Sequence, residues 1–426
     1  MAEMDRRFEV RKAELLAGCR LSPEELEGAR ERLREFVAPF ADKLSRAEQK
    51  EHALEYVEGL MSDLETKNAE GIAYLHGKGR RTIQHFLGES AWEHEPLLDE
   101  LARQVAERIG EPDGVIAFDP SAHPKSGNHS VGVKRQWCGR SGKRDNCQVG
   151  IYMGYASRAE HSLVDQRLFL PEDWAKDKER RKKCGVPKGV SFRTRHELAL
   201  DMLRKHKARL PHAWVAGDTE MGRSTRFRGS LRRMREQYLL GAPSNTTVRD
   251  LEGTPPEYSG KGARPKRPFE QVREWVKARP ENAWTRIEVR AGESGPITVE
   301  CMKRRVQART EKRRVGPEEM LFVTREHAGE IVKHHYYLSN APADTPLAEF
   351  ARVPKAEHRI EECLQRAKSE AGMSDYEVRT WAGWHHHHAL VFMAVWFLVL
   401  EARRGEKDDG RDHCAADAGV DRGRAA

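Results

Sequence analysis

Two acidic residues stand where phosphodiester chemistry would need them. Asp119 closes the short apolar run VIAF at 115–118, and Asp218 closes AWVAG at 213–217. Each run has the length and composition of a buried strand, so both acids are expected at strand ends and could emerge on the same edge of one sheet. Cleavage by two metal ions needs hard oxygen ligands from separate parts of the chain, holding the ions about 3.5–4 Å apart. Acids at strand ends can supply such ligands. They can equally do no more than open a turn.

Basic and aromatic residues follow the first acid closely. Lys134, Arg135 and Trp137 could hold a phosphate and stack on a base, or form a solvated edge with one packed ring. Lys261, Arg264, Lys266 and Arg267 lie in GTPPEYSGKGARPKRP at 253–268, a stretch too rich in Gly and Pro for a regular element. From a flexible loop they could wrap DNA through counterion release, or only keep the loop soluble. Four consecutive histidines, His385 to His388, cannot all reach one ion from a helix, because successive side chains point in different directions. Helix-capping or DNA-proximal roles are expected for them rather than zinc binding. Trp381 and Trp384 are expected to pack in the core.

These groups must be carried by several kinds of element. Residues 1–109 are expected to be helical: Ser22, Pro23 and Glu25 make a capping box, and apolar residues recur at helical spacing through Tyr56, Leu60, Met61 and Leu64. From Gly114 the pattern becomes strand-like in VIAFD, CQVGIYMGYAS, AWVAGD and YLLGAPSN, and the basic segment at 173–197 between them is expected as loop or surface helix. Strands separated by helical stretches indicate an α/β domain at 110–245. A β-rich insertion is expected at 246–345 from WTRIEVRAG, ITVECMKRRVQAR, MLFVTRE and HHYYLSN. Helices return at 346–404, and 405–426 is expected as a disordered tail.

Composition is compatible with a nucleic-acid partner without requiring one. Charged residues make up 33% of the 426, and the formal net charge is +8, with a sequence pI near 9.0; a polyanion is favoured over a neutral metabolite. The seven cysteines, Cys19, Cys138, Cys147, Cys184, Cys301, Cys363 and Cys414, include no closely spaced metal-ligand pair. They are read as reduced, Cys138 and Cys147 as packing residues, and the chain as cytoplasmic. The charged start lacks the apolar stretch of a secretory signal. The most apolar run, at 389–400, is shorter than the roughly 20 residues that span a bilayer, so no membrane association is expected and a buried helix is.

The segment DPSAHPKSGNHSVGVKRQWCGRSGKRDNCQVGI at 119–151 resembles the first catalytic block of bacterial insertion-sequence transposases that carry an Asp-Asp-Glu triad. Its KSG, HSVGV, RQWCG and NCQVG pieces are similar to that family. AWVAGDTEMG, YLLGAPSN and HHYYLSN resemble the second block and its flanks, and RIEECLQRAKSEAGMSDYEVRTWAGWHHHHALVFMAVWFLVL at 359–400 looks like the block with the third acid. EYVEGLMSDLETKNAEGIA is also family-like, so the resemblance runs over most of 40–402.

The resemblance implies a ribonuclease H-like α/β core, interrupted by the β-rich insertion and preceded by the helical N-terminal domain, which would bind DNA. It implies Asp119, Asp218 and Glu361 as catalytic residues and ligands of two Mg²⁺ (or Mn²⁺) ions. Asp218 follows Asp119 by 99 residues and Glu361 follows Asp218 by 143; the second gap exceeds one loop of a compact core, and the insertion fills it. The branch carries a Tyr, Arg, Glu, Lys signature. Lys368 fills its last position and would contact DNA phosphate, while Pro354 and Glu357 stand at the Tyr and Arg positions. After Asp119 the chain reads PSAHPKSG in place of an acid-Thr-Gly-aromatic pattern. On a helix, Ile360, Cys363, Leu364, Ala367 and Ala371 form one apolar stripe. Glu361 lies at one border of it, Glu370 at the other, and Glu362 points away; geometry leaves Glu361 and Glu370 open, and the spacing to Lys368 favours Glu361 by resemblance.

The implied partners are double-stranded DNA, as transposon terminal inverted repeats and target, and a second copy of the chain, because two ends must meet. The implied activity is metal-dependent cleavage at transposon ends and strand transfer at the nucleoid. A non-catalytic DNA-binding descendant and a simple nuclease are the alternatives, which cleavage and joining assays separate.

Overall fold

Among the described residues, helical spacing of apolar residues up to residue 109 produces five helices: α1 (Pro23–Ala41), α2 (Ala47–Met61), α3 (Ala69–Leu75), α4 (Arg80–Gly88) and α5 (Glu95–Ile109). This computed structural model describes residues 23–292, 295–328 and 331–408. The expected cap at Ser22, together with Cys19, Cys414 and residues 409–426 of the expected tail, lies outside the described residues.

At Val115 the pattern changes and the sheet begins: β1 (Val115–Pro124), β2 (Lys134–Cys138), β3 (Lys143–Ala156) and β4 (His161–Leu168). The basic segment that follows forms short helices α6 (Glu172–Lys176) and α7 (Lys178–Lys183). Helix α8 (Arg195–His206) starts at a capping box in which Thr194 and Glu197 satisfy each other's backbone N–H groups. Then come β5 (Trp214–Gly217), α9 (Thr219–Arg223), α10 (Thr225–Arg233), β6 (Tyr238–Gly241), β7 (Thr247–Asp250), β8 (Glu270–Gln271) and α11 (Val272–Lys277). Strands β9 (Thr285–Gly292), β10 (Gly295–Arg309), β11 (Val315–Ala328) and β12 (Ile331–Ser339) precede two long helices, α12 (Leu347–Ser369) and α13 (Trp381–Asp408). Helix α13 runs on to Asp408, so the tail expected from residue 405 is corrected: its first four residues continue the helix.

All twelve strands join one mixed sheet, in the order β2-β3-β1-β5-β6-β12-β11-β10-β7-β8, with β4 on β3 and β9 on β10. Among the described residues only β1 with β5 and β5 with β6 run parallel. The four strands expected between 284 and 340 therefore form, and they extend the central sheet through β12 on β6 and β10 on β7. Their alternation divides two cores: Cys301, Met320 and Phe322 enter the main one, while Met302, Leu321 and Val323 enter a smaller one with Trp275 of α11. This is the two-residue period of a strand buried on both faces.

The N-terminal helices share the main core with α13. Phe36 meets Phe397 at 5.3 Å, and Arg32 pairs with Glu401 at 2.6 Å. The four histidines are all buried at this junction. The Tyr56 hydroxyl lies 2.9 Å from His387 Nδ1, His386 meets the carbonyls of Leu87 and Trp92 at 2.8 Å, and His385 and His388 donate to the carbonyls of Trp381 and Trp384. The expected capping or DNA-proximal role is thus corrected: partners arriving from three directions make the run a polar seam inside the core. Trp384 is buried as expected. Among the described residues no helix is long and apolar enough to cross a membrane.

Candidate active site

The level of the acids is set where two parallel strands separate. The ladder of β1 and β5 ends with Phe118 opposite Gly217, so Asp119 and Asp218 are the residues that follow directly on its two sides, at the same height. Asp119 does not end its strand, which corrects the sequence expectation: β1 continues to Pro124 on its other partner, with Asp119 opposite Tyr152 of β3. Asp218 leaves β5 and caps α9, its Oδ1 accepting the Met221 N–H at 3.0 Å. The bland role of opening a turn is therefore present at Asp218 beside any chemical one. Gly241 of β6 lets that turn approach, because a Cβ there would meet the Thr219 nitrogen at 2.7 Å.

Helix α12 brings in the rest. The stripe of Ile360, Cys363, Leu364 and Ala367 is buried, and Ile360 seats against Gly154 of β3, where a Cβ would stand 2.6 Å from its side chain. This leaves Glu361, Leu364, Gln365 and Lys368 on the wall of a cavity of about 590 Å³ that Asp119, Asp218, Glu220, Trp137 and Arg195 also line. Lys368 Nζ donates to Ser121 Oγ at 2.5 Å, two residues along β1 from Asp119.

Crowded carboxyls in a half-buried cleft hold protons more tightly. Burial, and then the neighbouring carboxylates of Asp218 and Glu361, push Asp119 up to about 7, while Lys368 pulls it down. Burial also raises Asp218 against the lowering effect of the Met221 N–H. Glu357, one turn before Glu361, is pushed up to about 8 by burial and by Asp119, Asp218 and Glu361. Glu361 is turned outward, with Oε2 3.5 Å from His358. Among the described residues no three His, Cys, Asp or Glu side chains are already gathered as a metal cage. The donors themselves are hard carboxylate oxygens, the type that Mg²⁺ and Mn²⁺ take.

The remaining expected DNA contacts are dispersed. Trp137 reaches the cavity and is 57% exposed. Lys134 is engaged with Asp173 at 2.9 Å, and neither it nor the exposed Arg135 lines the cavity. Lys261, Arg264 and Lys266 are exposed, whereas Arg267 folds back toward the buried Asp250 at 3.5 Å. Cys138, Cys147, Cys184, Cys301 and Cys363 are all buried as free thiols.

Arg195 and Glu220 line the site and were not singled out from the sequence, and Glu357, noted there only as a departure from the signature, lies beside its acids. Arg195 donates to Glu220 at 2.6 Å and to Gln136 at 3.3 Å. Its signal was a cation in the first turn of a helix, where the dipole disfavours one. For Glu357 the signal was an acid on the same helical face as Glu361 and beside the apolar stripe.

The family described as DDE superfamily endonuclease matches residues 39–296, which include Asp119 and Asp218; Glu361 lies beyond the match. The chain is 27% identical over 201 residues to a protein of Microchaete diplosiphon named "Probable transposase for insertion sequence element IS701". That match covers 45% of this chain and 49% of the relative, so the chain spans about half of the relative's length. Among solved structures, the NurA nuclease from Sulfolobus solfataricus aligns with 74% of this chain and 92% of its own, at 11% identity and a TM-score of 0.22.

Proposed function

This chain belongs to the DDE superfamily of endonucleases, and we propose that it is the transposase of a bacterial insertion sequence, cutting duplex DNA at the element's ends and joining the freed 3′ hydroxyl to target DNA. The observation that carries this reading is the placement of Asp119 and Asp218 at one height, each directly after the last pair of the parallel β1–β5 ladder, with Glu361 and Lys368 lining the same cavity. Asp119, Asp218 and Glu361 would hold two divalent ions, Mg²⁺ or Mn²⁺, which when bound supply an activated nucleophile and stabilise the leaving oxygen. Lys368 and Arg195 place positive charge on the cavity wall, where a phosphodiester would be oriented, and Trp137 offers a face on which an unpaired base can stack. The strand order β4-β3-β1-β5-β6, with β1, β5 and β6 parallel, supports a ribonuclease H-like core at 110–245 completed by 346–404, with 246–345 inserted between. Residues 1–109 contribute recognition of the ends, and two copies of the chain, acting at the nucleoid in the cytoplasm, bring two ends together. Incubation with duplex carrying the element's terminal inverted repeats, in Mg²⁺ or Mn²⁺ and with a target plasmid, tests this. Cleavage at the end followed by joining is expected; cleavage without joining leaves only a nuclease, and neither leaves a DNA-binding protein.

A further inference from the structure

A second cavity, of about 700 Å³, lies behind α9 and is lined by Arg223, Arg228, Arg309 and Arg313 together with Thr246 and Thr247. Five-residue α9 is the wall between the two cavities: Asp218 and Glu220 at its start face the acids, and Gly222 and Arg223 at its end face the arginines. The far wall is the tip of the β10–β11 hairpin, tied to α10 where Glu311 accepts the Thr225 N–H at 2.6 Å.

The four arginines are not equivalent. Arg228 is buried and spent inside the protein, bonded to Glu319 at 2.9 Å and to the Gly222 carbonyl. Arg309 lies over the Phe269 ring at 4.2 Å, and Arg249 over the same ring at the same distance. Arg223 and Arg313 are exposed, and among the described residues neither is recorded in an ion pair. Arg313 is held in the left-handed region at φ 57°, a conformation in which a side chain other than Gly, Asn or Asp is uncommon. The only acid on the lining, Glu311, already accepts from Thr225.

We infer that this arginine cavity binds the sugar-phosphate backbone of the duplex DNA flanking the cut, in a site separate from the acid cavity and reached over α9. The inference rests on the transposase reading for its substrate class. Two unspent guanidiniums and threonine hydroxyls suit phosphate oxygens, and Arg309 lies over Phe269, which directly follows the basic loop of Lys261, Arg264 and Lys266 along the chain. A strand leaving the acid cavity across α9 would meet Arg223 first and Arg313 next, and the lining sets four arginines against one acid, Glu311.

The test is the salt dependence of binding of the full chain to a random-sequence duplex. Changing Arg223→Ala with Arg313→Ala should weaken binding and lower the slope of log affinity against log salt by about 1.8, at about 0.9 for each lost phosphate contact. Arg223→Lys with Arg313→Lys should restore the slope, since it keeps both charges. An unchanged slope in the alanine variant, with wild-type binding intact, overturns the inference. Failure of the transposase reading is distinguishable, because it would appear as wild-type protein that binds this duplex and neither cuts nor joins end-bearing DNA in Mn²⁺.

Discussion

Glu357 and Glu361 stand one turn apart on the same face of α12, and they meet opposite surroundings. Glu357 sits beside Asp119 and Asp218 and holds its proton up to about pH 8, while the Glu361 side chain is 51% exposed and leans on His358. Glu361→Gln is expected to abolish metal-supported cleavage, and Glu357→Gln to slow it about tenfold, the equivalent of roughly 1.4 kcal/mol. Glu362→Gln and Glu370→Gln, outside the cavity, should leave most activity. Rates in Mn²⁺ for the four variants decide it; an active Glu361→Gln beside a dead Glu370→Gln would reverse the assignment.

Asp119→Asn and Asp218→Asn should both lose cleavage and keep duplex binding, since binding rests on Lys and Arg contacts. Asparagine is preferred to alanine at 218 because it can keep the cap on Met221, whose loss costs about 1 kcal/mol. Near wild-type cutting by either variant would remove that acid from the mechanism.

The raised carboxyls give a pH dependence with a definite sign. Asp119 rises from 3.8 to about 7 and Glu357 from 4.5 to about 8, so in the metal-free protein each favours the folded state fully below its unfolded value. That contribution is lost as pH rises through the folded one. The thermal midpoint of metal-free wild type, relative to Asp119→Asn with Glu357→Gln, should therefore fall between about pH 4 and pH 8. Scanning calorimetry across that window checks it, and a difference that stays flat or grows contradicts the assignment of these shifts.

Among the four loop cations, Arg267 is tied to Asp250, so only Lys261, Arg264 and Lys266 remain for DNA. Neutralising those three should lower the salt slope of duplex binding by up to about 2.7, at about 0.9 per phosphate contact. Adding Arg267→Ala should lower thermal stability without a further change of slope. No change in the triple variant would show that the loop does not touch DNA.

Residues 1–109 cannot be removed cleanly if α13 needs them. A chain beginning at Gly114 would expose Phe397 and leave His386 and His387 without Leu87, Trp92 and Tyr56. It is expected to lose cooperative unfolding in urea. A cooperative transition in that fragment would show that the first helices form an independent unit.

What the sequence determined by itself is what each element determines alone. Helical and alternating periods report burial of one segment's own faces, and they located the strands at 115–119 and 213–217, the four strands between 284 and 340, and the stripe of Ile360, Cys363, Leu364 and Ala367. They also placed Asp119 and Asp218 next to apolar strand residues. Pairing, register and direction of approach depend on residues far along the chain, and those only the tertiary structure decided. The antiparallel partner β3 carries β1 five residues past Asp119, which no local pattern signals. The register of Phe118 on Gly217 puts the two acids side by side. Arg195 enters the cavity and Glu357 comes up beside its acids because α8 and α12 pack where they do, and Arg267 leaves the basic loop because Asp250 is buried beneath it. The histidines became a buried seam for the same reason: their partners come from α2, from α4 and the residues after it, and from the segment before α13, which a reading along one helix cannot bring together.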